Sequence, residues 1–507
     1  MTTVEDRLRP GTPDAALRPT PIAWPMILAL AASKVVFQLA TSDLYGAHRD
    51  EFYYLESGYH LAFGYVDNPP LVPWIYRVER AVFGHSVTSL AVVPALLGGV
   101  FVVVGALMAA DLGGGRAAQG LCALVAWLGP LFLTTSHFLG TVSLDLLAWS
   151  LASWLVIRMV RSGNTRGWLA IGAVCGVGLL NKDTVLFWVV AAGTGLLLTR
   201  ERRLLRSWWL VAGAAVAIVI ALPNLIWEAD HGWATLVFLR HLQAENSSSD
   251  LVQFVPVQLV LVAIGGTVLW IVALVALARR PEWRSQLWLA YGYGVAFVLL
   301  LALGGKAYYL GSWYLPLVAV GAVVVERSWS RVKLRLLVIL TVVLGVLVAP
   351  YATPVLPPGA AVAAHLDTQN HDLGGMLGWP HVVGQIAAVA DMLPPAARRQ
   401  VVVMTDNYSE AGAVDFFGRP LGLPSAISGH NTFWLWGYGH PSPGVTVIAV
   451  GLPASFVHRY WSSVRLASTL GVGGPPIDPQ ERGAPIWICR GQRLPWAAIW
   501  PAAKHYG

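Results

Sequence analysis

Long apolar runs separated by short charged segments fill the first 350 residues of this 507-residue chain. Most runs are roughly 17 to 25 residues long, the length at which an α-helix spans the hydrocarbon core of a bilayer. Eleven runs can be placed, near residues 21–40, 88–110, 117–138, 144–160, 167–180, 184–199, 208–226, 253–277, 287–303, 309–325 and 334–350. The short runs at 167–180 and 184–199 are candidates for a broken pair. The pattern predicts an α-helical polytopic membrane protein with about eleven transmembrane helices.

The last third of the chain, residues 351–507, loses this pattern. It contains Pro- and Gly-rich stretches, β-rich runs at 401–405, 445–450 and 486–489, and helix-like pieces at 381–393 and 409–417. Alternation of this kind over about 150 residues predicts a soluble C-terminal α/β domain. The predicted organisation is a tail at 1–20, a membrane domain at 21–350 with a long loop at 43–87, and the α/β domain at 351–507.

Composition agrees with a membrane protein and excludes other classes. Of all residues, 56% are hydrophobic and 12% are charged, and the mean hydropathy is +0.59, whereas soluble globular chains carry about 25% charged residues. A net charge of +7 is compatible with nucleic-acid binding, but no basic face interleaved with aromatic residues occurs outside the membrane loops, so we predict no nucleic-acid partner. Cys122, Cys175 and Cys489 form neither a disulfide framework nor a zinc-binding spacing.

The distribution of basic residues between the loops predicts the orientation of the chain. Every second connection is basic, and these connections carry Arg116; Arg158, Arg161 and Arg166; Arg200, Arg202, Arg203 and Arg206; Arg279, Arg280 and Arg284; and Arg327, Arg331, Lys333 and Arg335. Short loops rich in Arg and Lys face the cytoplasm. We therefore predict a plasma (inner) membrane protein with a cytoplasmic N-terminus and an extracytoplasmic C-terminal domain. The first run lacks the features of a cleaved signal and is predicted to stay as an anchor.

The loop at 43–87 is too long and too aromatic to be a simple connector. Its Tyr, Trp and Phe residues, without a long polar run, predict amphipathic helices at the membrane interface. Asp50 and Glu51 begin one such segment. Acids at that position could serve only to cap the helix and stabilise its dipole. A catalytic role for them therefore depends on which other residues lie on the same side of the membrane.

Residues of three further turns fall on the same predicted side of the membrane: Asp145; Asn181, Lys182 and Asp183; and Lys306, Tyr308 and Tyr309. Each alone could be an exposed loop residue, but charged groups beside hydrocarbon are costly and mark functional sites by default. Together they suit one reaction, in which an acid takes a proton from an acceptor hydroxyl. Lysines would hold a phosphate and stabilise it as a leaving group, and an apolar groove would hold a lipid tail.

A metal site is the weaker alternative for part of this loop. His48 lies next to Asp50 and Glu51, but neighbouring residues of a helix do not face each other, so the run is weak evidence for metal ligands. We predict no cofactor and do not expect a divalent metal to be required.

At these residues the sequence resembles the GT-C glycosyltransferases, specifically the family 39-like group. That group includes the protein O-mannosyltransferases and the bacterial aminoarabinose transferases that modify lipid A. The resemblance rests on four motifs spread through the membrane domain: Asp50-Glu51 in RDEFYYL; Asp67-Asn68-Pro69-Pro70-Leu71; Lys182 in LLNKDT; and Lys306, Tyr308 and Tyr309 in GKAYYLGSWYLPL. Asp145 fits a second acid of the family in the turn before the fourth span.

The resemblance implies an inverting transfer of a monosaccharide from a polyprenyl-phosphate donor to a protein, glycan or lipid acceptor on the outer face of the membrane. Asp50 would be the catalytic base, with Glu51 and Asp145 orienting acceptor or sugar. The carrier phosphate would be bound by Lys182, Lys306, Tyr308, Tyr309 and Asn68, beside the site-loop residues Asp67, Pro69 and Pro70. Asn68 stands where relatives carry a Lys or His, so the charge contacts would fall on the two lysines.

Two other functions remain open from the sequence. A secondary transporter would show inverted repeats and charges near the bilayer midplane, whereas this chain shows no repeat and clusters its charges at one edge. A non-catalytic GT-C-like scaffold would bind the lipid or sugar and turn nothing over. A cavity that opens alternately to both sides would favour the transporter.

Overall fold

The computed structural model describes residues 18–245 and 249–506. Most of the predicted tail at 1–20 lies outside these residues. The helices of the first 352 residues are α1 (Trp24–Thr41), α2 (Arg49–Tyr59), α3 (Leu71–Phe83), α4 (Val87–Leu90), α5 (Val92–Asp111), α6 (Arg116–Leu128), α7 (Pro130–Thr134), α8 (Thr141–Ser162), α9 (Gly167–Leu179), α10 (Val185–Leu197), α11 (Trp208–Asp230), α12 (Ala234–Glu245), α13 (Ser249–Gln258), α14 (Ala263–Arg279), α15 (Trp288–Ala302), α16 (Tyr314–Ser328) and α17 (Arg331–Ala352). Short 3₁₀ helices lie at Arg200–Arg206, Pro281–Gln286 and Ala307–Trp313.

Every one of the eleven predicted apolar runs contains a helix. Six helical segments are long and apolar enough to cross a bilayer, namely Trp24–Thr41, Val87–Asp111, Thr141–Ser162, Trp208–Asp230, Ala307–Ser328 and Arg331–Ala352. The shorter apolar helices are Arg116–Leu128, Gly167–Leu179, Val185–Leu197, Ala263–Arg279 and Trp288–Ala302. The number of membrane crossings therefore stays a prediction.

A break between α6 and α7 explains a buried lysine in α1. Pro130 has no N–H, so the carbonyl of Ala126 lacks the donor that a continuous helix would provide. The Lys34 ammonium, which is fully buried, donates to Ala126 O at 2.7 Å and to Phe132 O at 2.9 Å. The lysine therefore stabilises the broken helix from within the bundle, and this is a structural role.

One end of the helix bundle, which we call the Asp111 rim, satisfies its charges locally. Asp111 accepts hydrogen bonds from Arg161 Nη1 at 2.5 Å and from Trp154 Nε1 at 2.7 Å. Glu326 accepts from the backbone N–H groups at the start of α6, namely those of Gly115, Ala117 and Ala118, at 2.6 to 3.1 Å. These carboxylates cap and cross-link helices. The opposite end, which carries the 43–87 loop, is called the Asp50 rim.

The C-terminal part contains a five-stranded sheet flanked by helices. Its strands are β1 (Val402–Thr405), β2 (Ala426–Ser428), β3 (Val447–Val450), β4 (Trp461–Thr469) and β5 (Pro485–Gln492). Its helices are α18 (Pro358–Ala363), α19 (Leu366–Gln369), α20 (His371–Gly374), α21 (Trp379–Asp391), α22 (Pro395–Arg398), α23 (Tyr408–Phe417), α24 (Asn431–Trp436), α25 (Ala454–Tyr460) and α26 (Trp496–Ala503), with a 3₁₀ turn at Arg419–Leu421. The order is β2-β1-β3-β5-β4; β1 is parallel to β2 and β3, and β5 is antiparallel to β3 and β4.

The C-terminal part packs directly on the 43–87 loop through α23 and α2. Gly412 of α23 meets the backbone of Phe52 of α2, because a Cβ at Gly412 would lie 2.8 Å from the carbonyl carbon of Phe52. Phe52 itself is fully buried and packs edge-on against Trp379 of α21. Thus α2 is held between the bundle and the α/β unit, while α3 leaves Val78 and Val82 exposed, as expected for an interfacial helix. The exact domain boundaries stay a prediction.

Candidate active site

The start of α2 is a capping box that presents Asp50. His48 is the N-cap, and its Nδ1 accepts from Asp50 N–H at 3.2 Å. Glu51 reaches back, so that His48 N–H donates to Glu51 Oε2 at 2.8 Å. The His48 ring is buried and stacks on Phe138 with centroids 4.2 Å apart. Because Nδ1 is an acceptor, the imidazole proton lies on Nε2, the nitrogen 3.9 Å from Asp372 Oδ1.

Glu51 has the surroundings of a structural residue. Its second oxygen, Oε1, lies 2.8 Å from the Tyr76 hydroxyl, which also lies 2.9 Å from Leu139 O. Burial raises the pKa of Glu51 to about 7. A protonated Glu51 could donate to Tyr76, which would then donate to Leu139 O. The capping interpretation therefore describes the contacts of Glu51, and the catalytic role predicted for it stays a prediction.

Asp50 is the acid of this pair that a substrate can reach. About a third of its side chain is exposed (34%), against 4% of the Glu51 residue. The Tyr408 hydroxyl, from the C-terminal part, donates to Asp50 Oδ1 at 2.9 Å. The other oxygen, Oδ2, lies 3.8 Å from His48 Nδ1. This arrangement leaves one carboxylate oxygen able to accept a proton from an incoming hydroxyl.

The Asp67–Pro70 motif joins α2 to the turn between α9 and α10. Tyr53 donates a short hydrogen bond to Asp67 Oδ1, and burial raises the pKa of Asp67 to about 7. The Asn68 amide donates to Pro69 O at 2.9 Å, so in this structure it stays within its own loop. Directly after the buried Pro70, Leu71 N–H donates to Leu180 O at 2.8 Å.

That turn brings a lysine next to an aromatic ring and a buried acid. Lys182 Nζ lies 4.5 Å from the centroid of the Tyr309 ring and 3.4 Å from Thr141 Oγ1. Asp145, one turn into α8, is 2% exposed and accepts from Trp149 Nε1 at 3.0 Å. Its carboxylate lies in the electrostatic field of Lys182. The turn therefore presents an ammonium group whose neighbours are a hydroxyl, an aromatic ring and a buried carboxylate.

The last part of the Asp50 rim is the Lys306–Tyr309 segment, which lies at the start of the 3₁₀ helix before α16. The Tyr308 and Tyr309 rings are perpendicular, with centroids 4.9 Å apart. Lys306 is exposed, and its charge acts on Tyr309 together with that of Lys182. Tyr308 in turn lies in the fields of Asp50 and of Asp372.

Three of the sequence-predicted residues, Asp50, Asp67 and Lys182, are thus linked through Tyr54 and Thr141. Tyr54 shows this most clearly, because it lies in the fields of both Asp50 and Asp67 and hydrogen-bonds to Thr141, which in turn contacts Lys182. Sequence reasoning missed Tyr54, Thr141, Tyr408 and Asp372. Tyr54 stands in the aromatic RDEFYYL motif, which was a usable signal. Tyr408 and Asp372 lie in the C-terminal part, where no local pattern marks them.

An apolar groove of about 270 Å³ opens between α8 and α9 beside this cluster. It is lined by Leu71, Leu144, Leu147, Ala148, Leu151, Ala173, Val174, Val177, Gly178 and Asn181. Its polar end, at Asn181, adjoins Lys182. A lipid chain in the groove would therefore place its head group at the lysine. Across residues 18–245 and 249–506, no group of three His, Cys, Asp or Glu side chains is arranged to hold a metal.

Comparisons with known proteins agree with the motif resemblance. Residues 67–227 match the family described as dolichyl-phosphate-mannose-protein mannosyltransferase. The lipopolysaccharide core galacturonosyltransferase RgtB of Rhizobium johnstonii is 27% identical over 391 residues, covering 70% of this chain and 76% of RgtB. The lipid A galacturonosyltransferase RgtD of the same organism is 29% identical over 213 residues, covering 40% of this chain and 42% of RgtD.

The fold matches that of a protein of known structure. The crystal structure of ArnT from Cupriavidus metallidurans bound to undecaprenyl phosphate superposes with a TM-score of 0.62, at 16% identity, covering 92% of this chain and 98% of ArnT. The apo structure of the same protein gives 0.61. The predicted fold class, a helical multi-pass membrane protein of the GT-C type with a small C-terminal sheet unit, is therefore confirmed, as is the resemblance to bacterial GT-C glycosyltransferases.

Proposed function

We propose that this chain, which has the GT-C fold, is an inverting glycosyltransferase that moves a monosaccharide from a polyprenyl phosphate to an acceptor hydroxyl. The observation that carries this proposal is the chain of contacts that links Asp50 to Lys182 through Tyr54 and Thr141, beside an apolar groove. We place the reaction on the outer face of the plasma (inner) membrane, with the N-terminus in the cytoplasm, because the basic loops predict that orientation.

The donor would lie along α8 and α9. Its lipid tail would occupy the groove, and its phosphate would contact Lys182 at the groove's polar end. The exposed Lys306 and the Tyr309 hydroxyl would complete the phosphate contacts. Cationic side chains at this point stabilise the charge that develops on a departing phosphate. The undecaprenyl phosphate in the ArnT structure supports a donor of this class.

Asp50 would act as the base. As the acceptor oxygen forms its bond to C1 of the sugar, its proton would pass to a carboxylate oxygen of Asp50. The bond from C1 to the phosphate oxygen would break, and polyprenyl phosphate would leave with the electron pair. Attack from the side opposite the phosphate inverts C1. The reaction balances without a cofactor, and we propose that no metal is required.

The similarity to galacturonosyltransferases favours one pair of substrates for the first test. RgtB and RgtD act, by their names, on lipopolysaccharide core and on lipid A. We propose a galacturonic acid donor and an acceptor in lipopolysaccharide. Mannose, arabinose and aminoarabinose donors, and protein or other glycan acceptors, are the competing choices that the same assay compares.

The test uses the full chain reconstituted in liposomes with a labelled polyprenyl-phosphate sugar and a lipopolysaccharide acceptor. Covalent label in the acceptor, with stoichiometric release of polyprenyl phosphate, supports the proposal. Saturable donor binding without turnover for every sugar in the panel would make the chain a scaffold. Movement of unchanged donor or sugar across the bilayer would make it a transporter.

A further inference from the structure

The edge of the sheet that most often binds ligands is covered in this protein by the loop that carries Asp50. In open α/β sheets, ligands bind outside the carboxyl ends of parallel strands, where the chain switches direction. Here the chain passes from β1 to β2 on one side and then to β3 on the other, so the switch point lies beside β1. The segments that follow β1 and β2 are 406–408 and 429–432.

These two segments touch the 43–87 loop at four points. Thr432 Oγ1 accepts from Val66 N–H at 2.9 Å and lies 2.6 Å from the Tyr53 hydroxyl. Asn431 Nδ2 donates to Asp67 Oδ2 at 3.3 Å. The fourth contact is the hydrogen bond from Tyr408 to Asp50. The C-terminal unit therefore holds the loop by the edge at which related sheets hold ligands.

We infer that Tyr408 is a positioning residue that orients the Asp50 carboxylate, an assignment that rests on the proposed role of Asp50. The Tyr408 hydroxyl donates to Oδ1 and leaves Oδ2 to receive the acceptor proton. Through this contact, the C-terminal unit helps to position the proposed base.

The Tyr408 side chain is held firmly enough for this task. It begins α23, whose N-cap Asn407 forms a capping box with Glu410. Its ring lies 4.7 Å from the Tyr53 ring and 4.7 Å from the His430 ring, measured between centroids. Burial, and then the nearby Asp50 and Asp67 carboxylates, raise the pKa of Tyr408 well above its usual value, so the phenol stays a donor.

Other charged or titratable groups also face Asp50, and they define what the hydrogen bond adds. They are His48, Arg49 and Glu51 beside it at the start of α2, Asp67 and Tyr54 in the same loop, Tyr308 before α16, and Asp372 and Asp478, which face His48 and Arg49 from the C-terminal unit. None of them is removed by changing Tyr408 to Phe, which keeps the ring. The change therefore isolates the hydroxyl.

The first measurement is the stretching band of the Asp50 carboxylate by infrared difference spectroscopy, with the band identified by its loss in Asp50→Asn. In Tyr408→Phe the band should shift in frequency, because the carboxylate loses a hydrogen-bond donor. Tyr438→Phe is the matched control, since Tyr438 packs on Trp496 and Trp500 in the same unit. An unchanged band in Tyr408→Phe overturns the inference, whether or not the wild type transfers sugar.

The second measurement is the transfer rate, which separates this inference from the proposed function. A wild type that transfers no sugar overturns the function, and the infrared result still decides the role of Tyr408. In an active wild type, Tyr408→Phe should lower kcat/KM by about 10-fold. In the Asp50→Asn background, Tyr408→Phe should have less than about a twofold effect. A loss of the same size in both backgrounds contradicts the inference.

Discussion

The two rims of the helix bundle carry similar residue types, but their carboxylates have different hydrogen-bond partners. At the Asp111 rim, Asp111 has Arg161 and Trp154 as donors, and Glu326 accepts three backbone N–H groups. At the Asp50 rim, Glu51 is buried and Asp67 is partly buried, both with neutral hydrogen-bond partners, and burial raises the pKa of each to about 7.

The difference separates carboxylates that several donors satisfy from carboxylates whose pKa burial raises. Asp111 and Glu326 accept several hydrogen bonds and stabilise the fold. Groups that burial perturbs beside a cleft are characteristic of functional sites. The Lys182 ammonium lies beside the same cleft, with the Tyr309 ring, the Thr141 hydroxyl and the Asp145 carboxylate as neighbours. Four changes in charge or packing test this distinction.

The largest effect is expected from Lys182→Met, which keeps side-chain length and removes the charge. Loss of a charge-assisted contact to the donor phosphate should raise the donor KM about 10- to 100-fold, corresponding to roughly 1.5–3 kcal/mol. Arg158→Met at the Asp111 rim, where the side chain is half exposed, is the matched control and should leave KM within about twofold. Equal effects of the two changes on the donor KM would contradict a functional difference between the rims.

A pH effect on stability should follow from Asp67 and Glu51. Their folded-state pKa values, about 7, lie above the unfolded values of 3.8 and 4.5. Their contribution is therefore complete below about pH 4 and is lost as pH rises through 7. Between pH 5 and pH 8 the free energy of unfolding should fall by roughly 2.5 kcal/mol for each of the two acids. Thermal unfolding of wild type and Asp67→Asn measures this, and the variant should show a flatter pH dependence; stability that rises with pH contradicts it.

Gly412→Ala tests whether the C-terminal unit must approach the Asp50 rim closely. The new Cβ would lie 2.8 Å from the Phe52 carbonyl carbon, so α2 and α23 must separate. We expect a loss of about 1 to 2 kcal/mol in stability and lower transfer activity. Gly384→Ala, where a Cβ meets no atom within 4 Å, is the control on α21. Full stability and full activity in Gly412→Ala would show that the contact is dispensable.

The smallest effect is expected from Asp111→Asn. The Arg161 and Asp111 side chains are mostly buried, so loss of the charge from this pair should cost about 1 kcal/mol and leave the kinetic constants unchanged. Chemical denaturation and the transfer assay measure the two quantities. A large fall in kcat with stability intact would assign a functional role to the Asp111 rim.

Hydrophobic patterns predict the elements of the fold correctly where the patterned segment is long. The apolar runs contain the helices of the bundle, and the runs at 401–405, 445–450 and 486–489 overlap β1, β3 and β5. β2 was missed because it has only three residues, and β4 because it is an edge strand with many exposed polar positions. α6 ends at Leu128 and α7 begins at Pro130, so the Gly129-Pro130 pair was a signal for dividing the run 117–138 into two helices.

Only those residues of the candidate site that belong to the membrane domain could be predicted from the sequence. Asp50, Lys182 and Tyr309 stand in short motifs at helix ends, where topology alone brings them to one rim. Tyr408 contacts Asp50 across 358 residues of chain. Such a pairing depends on how two folded units dock, and nothing in the local sequence encodes it. The orientation of Asn68 was also not predictable, and its side chain turns to Pro69 rather than into the site.

The most direct test of the central claim is sugar transfer by Asp50→Asn with donor binding measured on the same sample. The account predicts that the variant binds polyprenyl-phosphate sugar as tightly as wild type and transfers it at least about 100-fold more slowly, since the amide cannot take the acceptor proton. A well-folded Asp50→Asn protein that transfers sugar at the wild-type rate would contradict it.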